Sequence, residues 1–173
     1  LQDELSALKS NFAKNPNITQ VFKQHCKLVD NLLARLWSDL QKNTYCCLIA
    51  VGGYGRGELY PHSDIDLLIL VPEHFEQNTA LSVEIERLVG LMWDIGLNVG
   101  HSVRTLSECL SEAGKDITVQ TNLLESRLLA GDKSLYKTYL QKAQHLTNPV
   151  AFFEAKLAEQ EQRHAKYNDT AYN

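Results

Sequence analysis

An apolar residue recurs every three or four positions between Ile18 and Leu40. This spacing predicts one long amphipathic helix over Asn17–Gln41. Two shorter apolar runs follow and lack the helical period, so they predict strands over Tyr45–Val51 and Ile65–Val71. The chain therefore begins with a helix and then supplies two strands to a sheet.

The rest of the chain predicts mostly helices. The expected elements are a helix over Glu76–Gly96, a strand over Leu97–Val103, a helix opened by a capping box of Thr105 and Glu108, a helix from Asp116 to a C-terminal cap at Gly131, and a last helix over Val150–Tyr167 after Asn148-Pro149. Strands in the first half and helices in the second predict an α+β fold, in which a small mixed sheet is packed by helices and followed by a helical C-terminal extension. The expected division is a helical segment over 1–42, a core over 43–131 and a helical segment over 132–173.

The composition narrows the class of protein. The chain has 173 residues, enough for one domain with a core, and its net charge of −4 gives no basic field for a nucleic acid. We expect no membrane span, because no apolar run approaches the ~20 residues that one requires. The four cysteines have no CxxC spacing, which favours a reducing cytoplasm. The chain does not begin with Met, as expected of a piece of a longer protein.

The segment Leu48–Val71 carries the chemistry. A strand leads into the glycine pair Gly52-Gly53, and the next strand opens with Asp64-Ile65-Asp66. Because side chains alternate along a strand, the two aspartates are predicted to lie on one face. Neighbouring carboxylates resist ionisation together, and a divalent cation such as Mg²⁺ or Mn²⁺ between them removes that cost.

Two common phosphate-binding motifs do not fit the glycines. A dinucleotide fingerprint that starts at Gly53 meets Gly55 and then Glu58 where its third glycine belongs. A P-loop that starts at Gly52 meets Glu58 where its lysine belongs. The remaining interpretation is a glycine turn that approaches a triphosphate, beside a pair of acids that holds metal ions.

The string GGYGRGELYPHSDIDLL resembles the amino-terminal nucleotidyltransferase domain of the bifunctional PII uridylyltransferase/uridylyl-removing enzymes, within the DNA polymerase beta-like superfamily. The later segments Val99–Arg104, Leu123–Asp132 and Arg163–Asn173 are similar to the same family. The resemblance implies a nucleotidyltransferase fold and the transfer of UMP from UTP to a tyrosine of the PII signal protein. It also implies other domains in the same parent chain. The chain contains no His-Asp dipeptide, so the removing activity has no candidate residues here.

The resemblance also implies roles for individual residues. Asp64 and Asp66 are the expected catalytic residues and metal ligands, and the cofactor is Mg²⁺, with Mn²⁺ as an alternative. The expected nucleotide-binding residues are Gly52, Gly53, Arg56 and Ser63.

Other roles stay open in the sequence. Many nucleotidyltransferases carry a third acid on a later strand, but Gly100-His101-Ser102 occupies the corresponding place. The general base is therefore His101, Asp116 or none. The missing acid supports a rival hypothesis, a catalytically silent nucleotide-sensing module. Glu125 and Arg127 are expected to form an ion pair, with Arg127 facing the nucleotide as the alternative. Arg56 has Glu58 or one of the two aspartates as an alternative partner.

Overall fold

A computed structural model describes residues 18–39, 45–59, 63–146 and 148–166. Within these ranges the elements are α1 (Ile18–Ser38), β1 (Cys47–Ala50), α2 (Gly52–Gly55), β2 (Ile65–Val71), a 3₁₀ turn (Phe75–Gln77), α3 (Thr79–Asp94), β3 (Val99–Thr105), α4 (Leu106–Ala113), α5 (Ile117–Leu124), β4 (Arg127–Gly131), α6 (Lys133–Leu146) and α7 (Pro149–Lys166). Parts of the predicted first and last helices, at 17, 40–41 and 167, lie outside the described residues, as does the segment Arg163–Asn173 beyond residue 166. His62, for which the sequence favours a structural or orienting role, also lies outside them.

The four strands form one mixed sheet in the order β3-β2-β1-β4. β1 pairs antiparallel with both β2 and β4, whereas β2 and β3 run parallel. The β2–β3 register sets Asp66 opposite Gly100. The predicted α+β fold with a small mixed sheet is thus confirmed.

Helices cover both faces of the sheet, because the strand residues alternate between two apolar clusters. Ile65, Leu67 and Ile69 of β2 lie in a cluster with residues of α1 and α3. Leu68 and Leu70 lie in the other cluster, with residues of α4, α5 and α6. We call these the α1 face and the α5 face of the sheet.

The predicted helix from Asp116 to Gly131 is wrong in its second half. α5 ends at Leu124, and residues 127–131 form the edge strand β4. Gly131 does not cap a helix. Its φ is +98°, and a Cβ there would stand 2.3 Å from the carbonyl oxygen of Cys46. Glycine therefore permits close contact with the backbone at the start of β1. The apolar residues in 123–130 suit a helix, but pairing with β1 decides their structure.

Other predicted elements need smaller changes. The helix expected from Glu76 begins only at Thr79, because the Asn78 side chain accepts a hydrogen bond from the amide of Leu81 at 3.1 Å and caps it. The third strand is shifted by two residues, to Val99–Thr105. The capping box is confirmed, as are the helix starts after Asp116 and Asn148. The helix over 133–146 falls in the segment 132–173 that was expected to be helical, although no separate helix had been assigned there.

All four cysteines are buried free thiols. Burial raises the pKa of Cys46 to about 11 and those of Cys47 and Cys109 to about 12. Burial also raises the pKa of Cys26. These side chains act as small apolar groups of the core.

No helix among the described residues is long and apolar enough to cross a membrane. The expected division of the chain at residues 42 and 131 stays a prediction.

Candidate active site

The structure brings Asp64 and Asp66 together at the start of β2. Asp66 alternates with Leu67 and so lies on the α5 face, with Leu68 two positions further on. Asp64, two positions earlier, continues the same alternation. Burial, and then the negative charge of Asp64, raise the pKa of the Asp66 carboxyl above its usual value. The two carboxylates are therefore close enough to repel each other.

The glycine turn lies against these acids. The amide of Val51 donates to the carbonyl oxygen of Asp66 at 3.1 Å, which holds the start of α2 beside β2. Gly52 follows with φ +59°, a left-handed conformation that favours glycine. A Cβ on Gly52 would stand 3.5 Å from Oδ2 of Asp66 and 3.6 Å from Oδ1 of Asn122 on α5. The turn, the acids and one neutral amide thus share one small region.

The neighbouring strand closes the other side of Asp66. A Cβ on Gly100 would stand 2.9 Å from Oδ1 of Asp66, which is closer than real side chains approach. Asn98, just before β3, donates a short hydrogen bond from its amide nitrogen to Oδ1 of Asp64. Asp66 therefore lies between two glycines, and a side chain at 100 would displace its Oδ1.

The donor set fits a hard divalent cation. Two carboxylates on one face supply oxygen ligands. A cation would offset both the partial desolvation of the Asp66 carboxylate, which keeps an exposed surface, and its repulsion by Asp64. Within the described ranges there is no group of three or more His, Cys, Asp or Glu side chains that could hold a metal. Among the described residues, the carboxylate ligands offered here are those of the two acids.

Arg56 and Ser63 flank the turn and the acids. Arg56 Nε donates to Glu58 at 2.9 Å and Nη1 donates to Glu125 at 2.5 Å. The hydrogen bond to Glu58, followed by the contact with Glu125, raises the pKa of Arg56, so the guanidinium stays charged. Its Nη2 lies 3.7 Å from the position of a Cβ on Gly53. Ser63 is exposed and directly precedes Asp64.

The two base candidates make other contacts in the structure. His101 shares its strand face with Val99 and Val103, which pack in the α1 cluster, and its ring contacts Trp93 of α3 at a centroid distance of 5.7 Å. It therefore lies on the opposite face from Asp66. Asp116 caps α5, where its carboxylate accepts from the amide of Thr118 at 2.7 Å. His101 is therefore not positioned beside the two acids, and the Asp116 carboxylate is engaged in a helix cap.

The expected ion pair between Glu125 and Arg127 is wrong. Glu125 binds Arg56, while Arg127 Nη1 donates to Asp30 of α1 at 2.6 Å. Residue 127 lies on β4 instead of a helix, so its side chain reaches α1 and not its predicted neighbour.

Comparison of the sequence with known protein families gives a match that spans this site. Residues 33–122, which include both acids and the glycine turn, match the family described as "Nucleotidyltransferase domain". The chain belongs to this family. The expected recognition of a nucleotidyltransferase domain is thus confirmed.

The sequence relatives of this nucleotidyltransferase domain share one name. A protein of Ralstonia nicotianae called "Bifunctional uridylyltransferase/uridylyl-removing enzyme" is 44% identical over 173 residues, which cover 100% of this chain and 20% of that protein. A protein of the same name from Nitrosospira multiformis is 44% identical over 170 residues, covering 96% of this chain and 19% of that protein. The chain spans about a fifth of the length of these relatives.

A solved structure described as "Crystal structure of the toxin-antitoxin with AMP-PNP" is 17% identical with a TM-score of 0.41. The match covers 81% of this chain and 96% of that one.

Sequence reasoning missed three residues of this nucleotidyltransferase site: Asn98, Gly100 and Asn122. The parallel register of β2 and β3 would have placed Gly100 beside Asp66, but that register depends on where β3 begins, and the predicted start was two residues early. No local pattern marks Asn122, because only the packing of α5 on the sheet carries it to Gly52.

Proposed function

We propose that this nucleotidyltransferase domain transfers UMP from UTP to a tyrosine hydroxyl of the PII signal protein and releases pyrophosphate. Three observations support the proposal. The chain belongs to a nucleotidyltransferase family, and its relatives are named as uridylyltransferases. In addition, paired acids lie directly beside a glycine turn. The proposal depends most on Asp66, whose raised pKa and close contact with Gly52 make it suited to a cation that bridges to phosphate.

Asp64 and Asp66 would hold Mg²⁺, with Mn²⁺ as an alternative. When bound, the metal would supply Lewis acidity at the phosphate oxygens and at the attacking hydroxyl.

The remaining residues bind and orient the nucleotide. The backbone at Gly52 and Gly53 would approach the β- and γ-phosphates, because neither residue carries a Cβ on that side. Arg56 would exchange one of its carboxylate partners for a phosphate oxygen, which a charged and half-exposed guanidinium can do. Ser63 would donate its hydroxyl to the same group of oxygens.

In the reaction the tyrosine oxygen forms a bond to the α-phosphorus. The bond from that phosphorus to the oxygen that bridges to the β-phosphate breaks, and pyrophosphate leaves with that bonding pair. The hydroxyl proton passes to solvent or to a group of the acceptor protein, because His101 lies on the opposite face of the sheet from Asp66 and the Asp116 carboxylate caps α5.

The test is an assay with UTP labelled at the α-phosphorus, PII protein, Mg²⁺ and the full natural chain that carries these residues. We expect label on PII with wild-type protein, and a loss of about a hundredfold or more in Asp64→Asn and in Asp66→Asn, because electrostatic stabilisation of the transition state is lost. Asp39→Asn is the matched control, since Asp39 is exposed beyond the end of α1. His101→Ala should also keep the activity.

Two results would contradict the proposal. If the wild-type protein and both variants bind UTP equally well and none transfers label, the nucleotide-sensing module is the better hypothesis. If ATP, GTP or CTP replaces UTP without loss, the assignment of UMP as the transferred group is wrong. A cytoplasmic location and cooperation with other domains of one parent chain remain part of this proposal.

A further inference from the structure

One side-chain cluster ties three distant parts of the chain to the glycine turn. Arg127 on β4 binds Asp30 on α1 through two nitrogens, Nη1 to Oδ2 at 2.6 Å and Nη2 to Oδ1 at 3.1 Å. Tyr54, inside the turn, donates its hydroxyl to Oδ1 of Asp30 at 2.6 Å. We call Asp30, Tyr54 and Arg127 the clamp.

The clamp also holds the turn by its backbone. Nη2 of Arg127 donates to the carbonyl oxygen of Tyr54 at 3.2 Å, and the guanidinium lies 5.3 Å from the centroid of the Tyr54 ring. Tyr54 is only 1% exposed, so burial, followed by its hydrogen bond to Asp30, raises its pKa and keeps the hydroxyl protonated as a donor. The residue between Gly53 and Gly55 is therefore fixed at both its side chain and its carbonyl group.

The geometry points to a function for this cluster: we infer that Asp30 and Arg127 are positioning residues for the nucleotide, acting through Tyr54 on the backbone of Gly52 and Gly53. The inference rests on the proposed function, because it assigns the turn to the phosphates of UTP. A partly exposed ion pair adds little stability by itself. Its bidentate geometry and its hydrogen bond to the turn instead restrict where the turn backbone can lie.

The variants separate positioning from general stability. Arg127→Met removes both the ion pair and the bond to the Tyr54 carbonyl while it keeps an apolar chain of similar length. Arg127→Lys keeps the charge but cannot form the bidentate contact. Tyr54→Phe removes only the hydroxyl and leaves the Asp30–Arg127 pair intact. The matched control is Arg104→Met, since Arg104 pairs with Glu112 at 4.0 Å and its side chain is 35% exposed, compared with 34% for Arg127.

Two measurements on the full natural chain test the inference. The first is the Kd for UTP, with the KM and kcat of transfer. We expect Arg127→Met to raise Kd and KM about tenfold with a smaller change in kcat, Arg127→Lys and Tyr54→Phe to give intermediate values, and Arg104→Met to match wild type. The second is hydrogen exchange of the turn amides at 55–58, which bond to the carbonyls of 51–54. They should exchange faster in Arg127→Met while the peptide over 65–71 does not change.

The inference is overturned if the Kd for UTP stays within about twofold of wild type in both Arg127→Met and Tyr54→Phe. It is also overturned if exchange rises equally in the turn and in β2, because the pair then serves only the stability of the fold. Binding and exchange do not require transfer to PII. A failure of the proposed transfer reaction is therefore distinguishable from a failure of the clamp.

Discussion

Replacing Gly100 with alanine should separate the stability of this domain from its chemistry. The added Cβ would stand 2.9 Å from Oδ1 of Asp66, and no other atom outside the adjacent residues lies within 4 Å of it. The φ of Gly100 is not in the left-handed region, so alanine fits the backbone. The atom that must move is the end of an aspartate side chain, which can rotate without moving the strand.

The size of the effect follows from these distances. The distance between Oδ1 of Asp66 and the new Cβ at residue 100 must increase from 2.9 Å to at least 3.4 Å, where ordinary van der Waals contact begins. Since a misplacement of about 1 Å can cost about a hundredfold in rate, we expect transfer to fall about tenfold. The unfolding free energy should be unchanged or higher by up to about 1 kcal/mol, because glycine inside a strand is less stable than alanine.

The assay combines urea unfolding with transfer from labelled UTP at several Mg²⁺ concentrations. The matched control is Gly90→Ala in α3, where an added Cβ meets nothing within 4 Å. That change should stabilise the helix by about 0.5–1 kcal/mol and leave transfer unchanged. A Gly100→Ala protein with wild-type transfer, or one destabilised by more than about 2 kcal/mol, would refute the reasoning, because the strand and not the carboxylate would then have moved.

Three further predictions concern stability. Gly55→Ala places a Cβ 1.9 Å from the carbonyl oxygen of Glu125 and 2.9 Å from that of Ala50, so urea unfolding should show a loss of about 3 kcal/mol, and an unchanged midpoint would contradict the packing. Because the pKa of Asp66 is raised in the folded state, the stability it contributes is present below its unfolded pKa near 3.8 and is lost as the pH rises through the folded pKa. In metal-free buffer Asp66→Asn should therefore unfold at higher urea than wild type at pH 7, with the difference disappearing at low pH. Thr105→Ala breaks the capping box and should cost about 1 kcal/mol without changing transfer, and a loss of transfer would place residue 105 in the site.

Local patterns predicted those features that depend on neighbours in sequence. Alternation from Asp64 along β2 predicted the two aspartates on one face, and helical spacing predicted the described part of α1. The capping box of Thr105 and Glu108 could be predicted from the sequence because its hydrogen bonds join residues three positions apart.

The features that sequence reasoning missed all depend on contacts between distant residues. Arg127 and Asp30 are 97 positions apart, so no spacing rule pairs them. The strand over 127–131 has an apolar composition that suits a helix equally well, and only the unpaired edge of β1 decides between them. Because residue 127 lies on this strand and not on a helix, Arg127 pairs with Asp30 and Glu125 pairs with Arg56. The wrong helix prediction therefore also led to a wrong ion pair.

The buried thiols give this domain a chemical reporter of its own opening. Iodoacetamide reacts with thiolates, and a thiol with a pKa of about 11 or 12 inside the core offers almost none at neutral pH. Cys26 lies in α1, Cys46 and Cys47 lie at the start of β1, and Cys109 lies in α4, so the four thiols together report on three layers. The order in which the native cysteines become alkylated would show which layer separates first, without an engineered reporter residue.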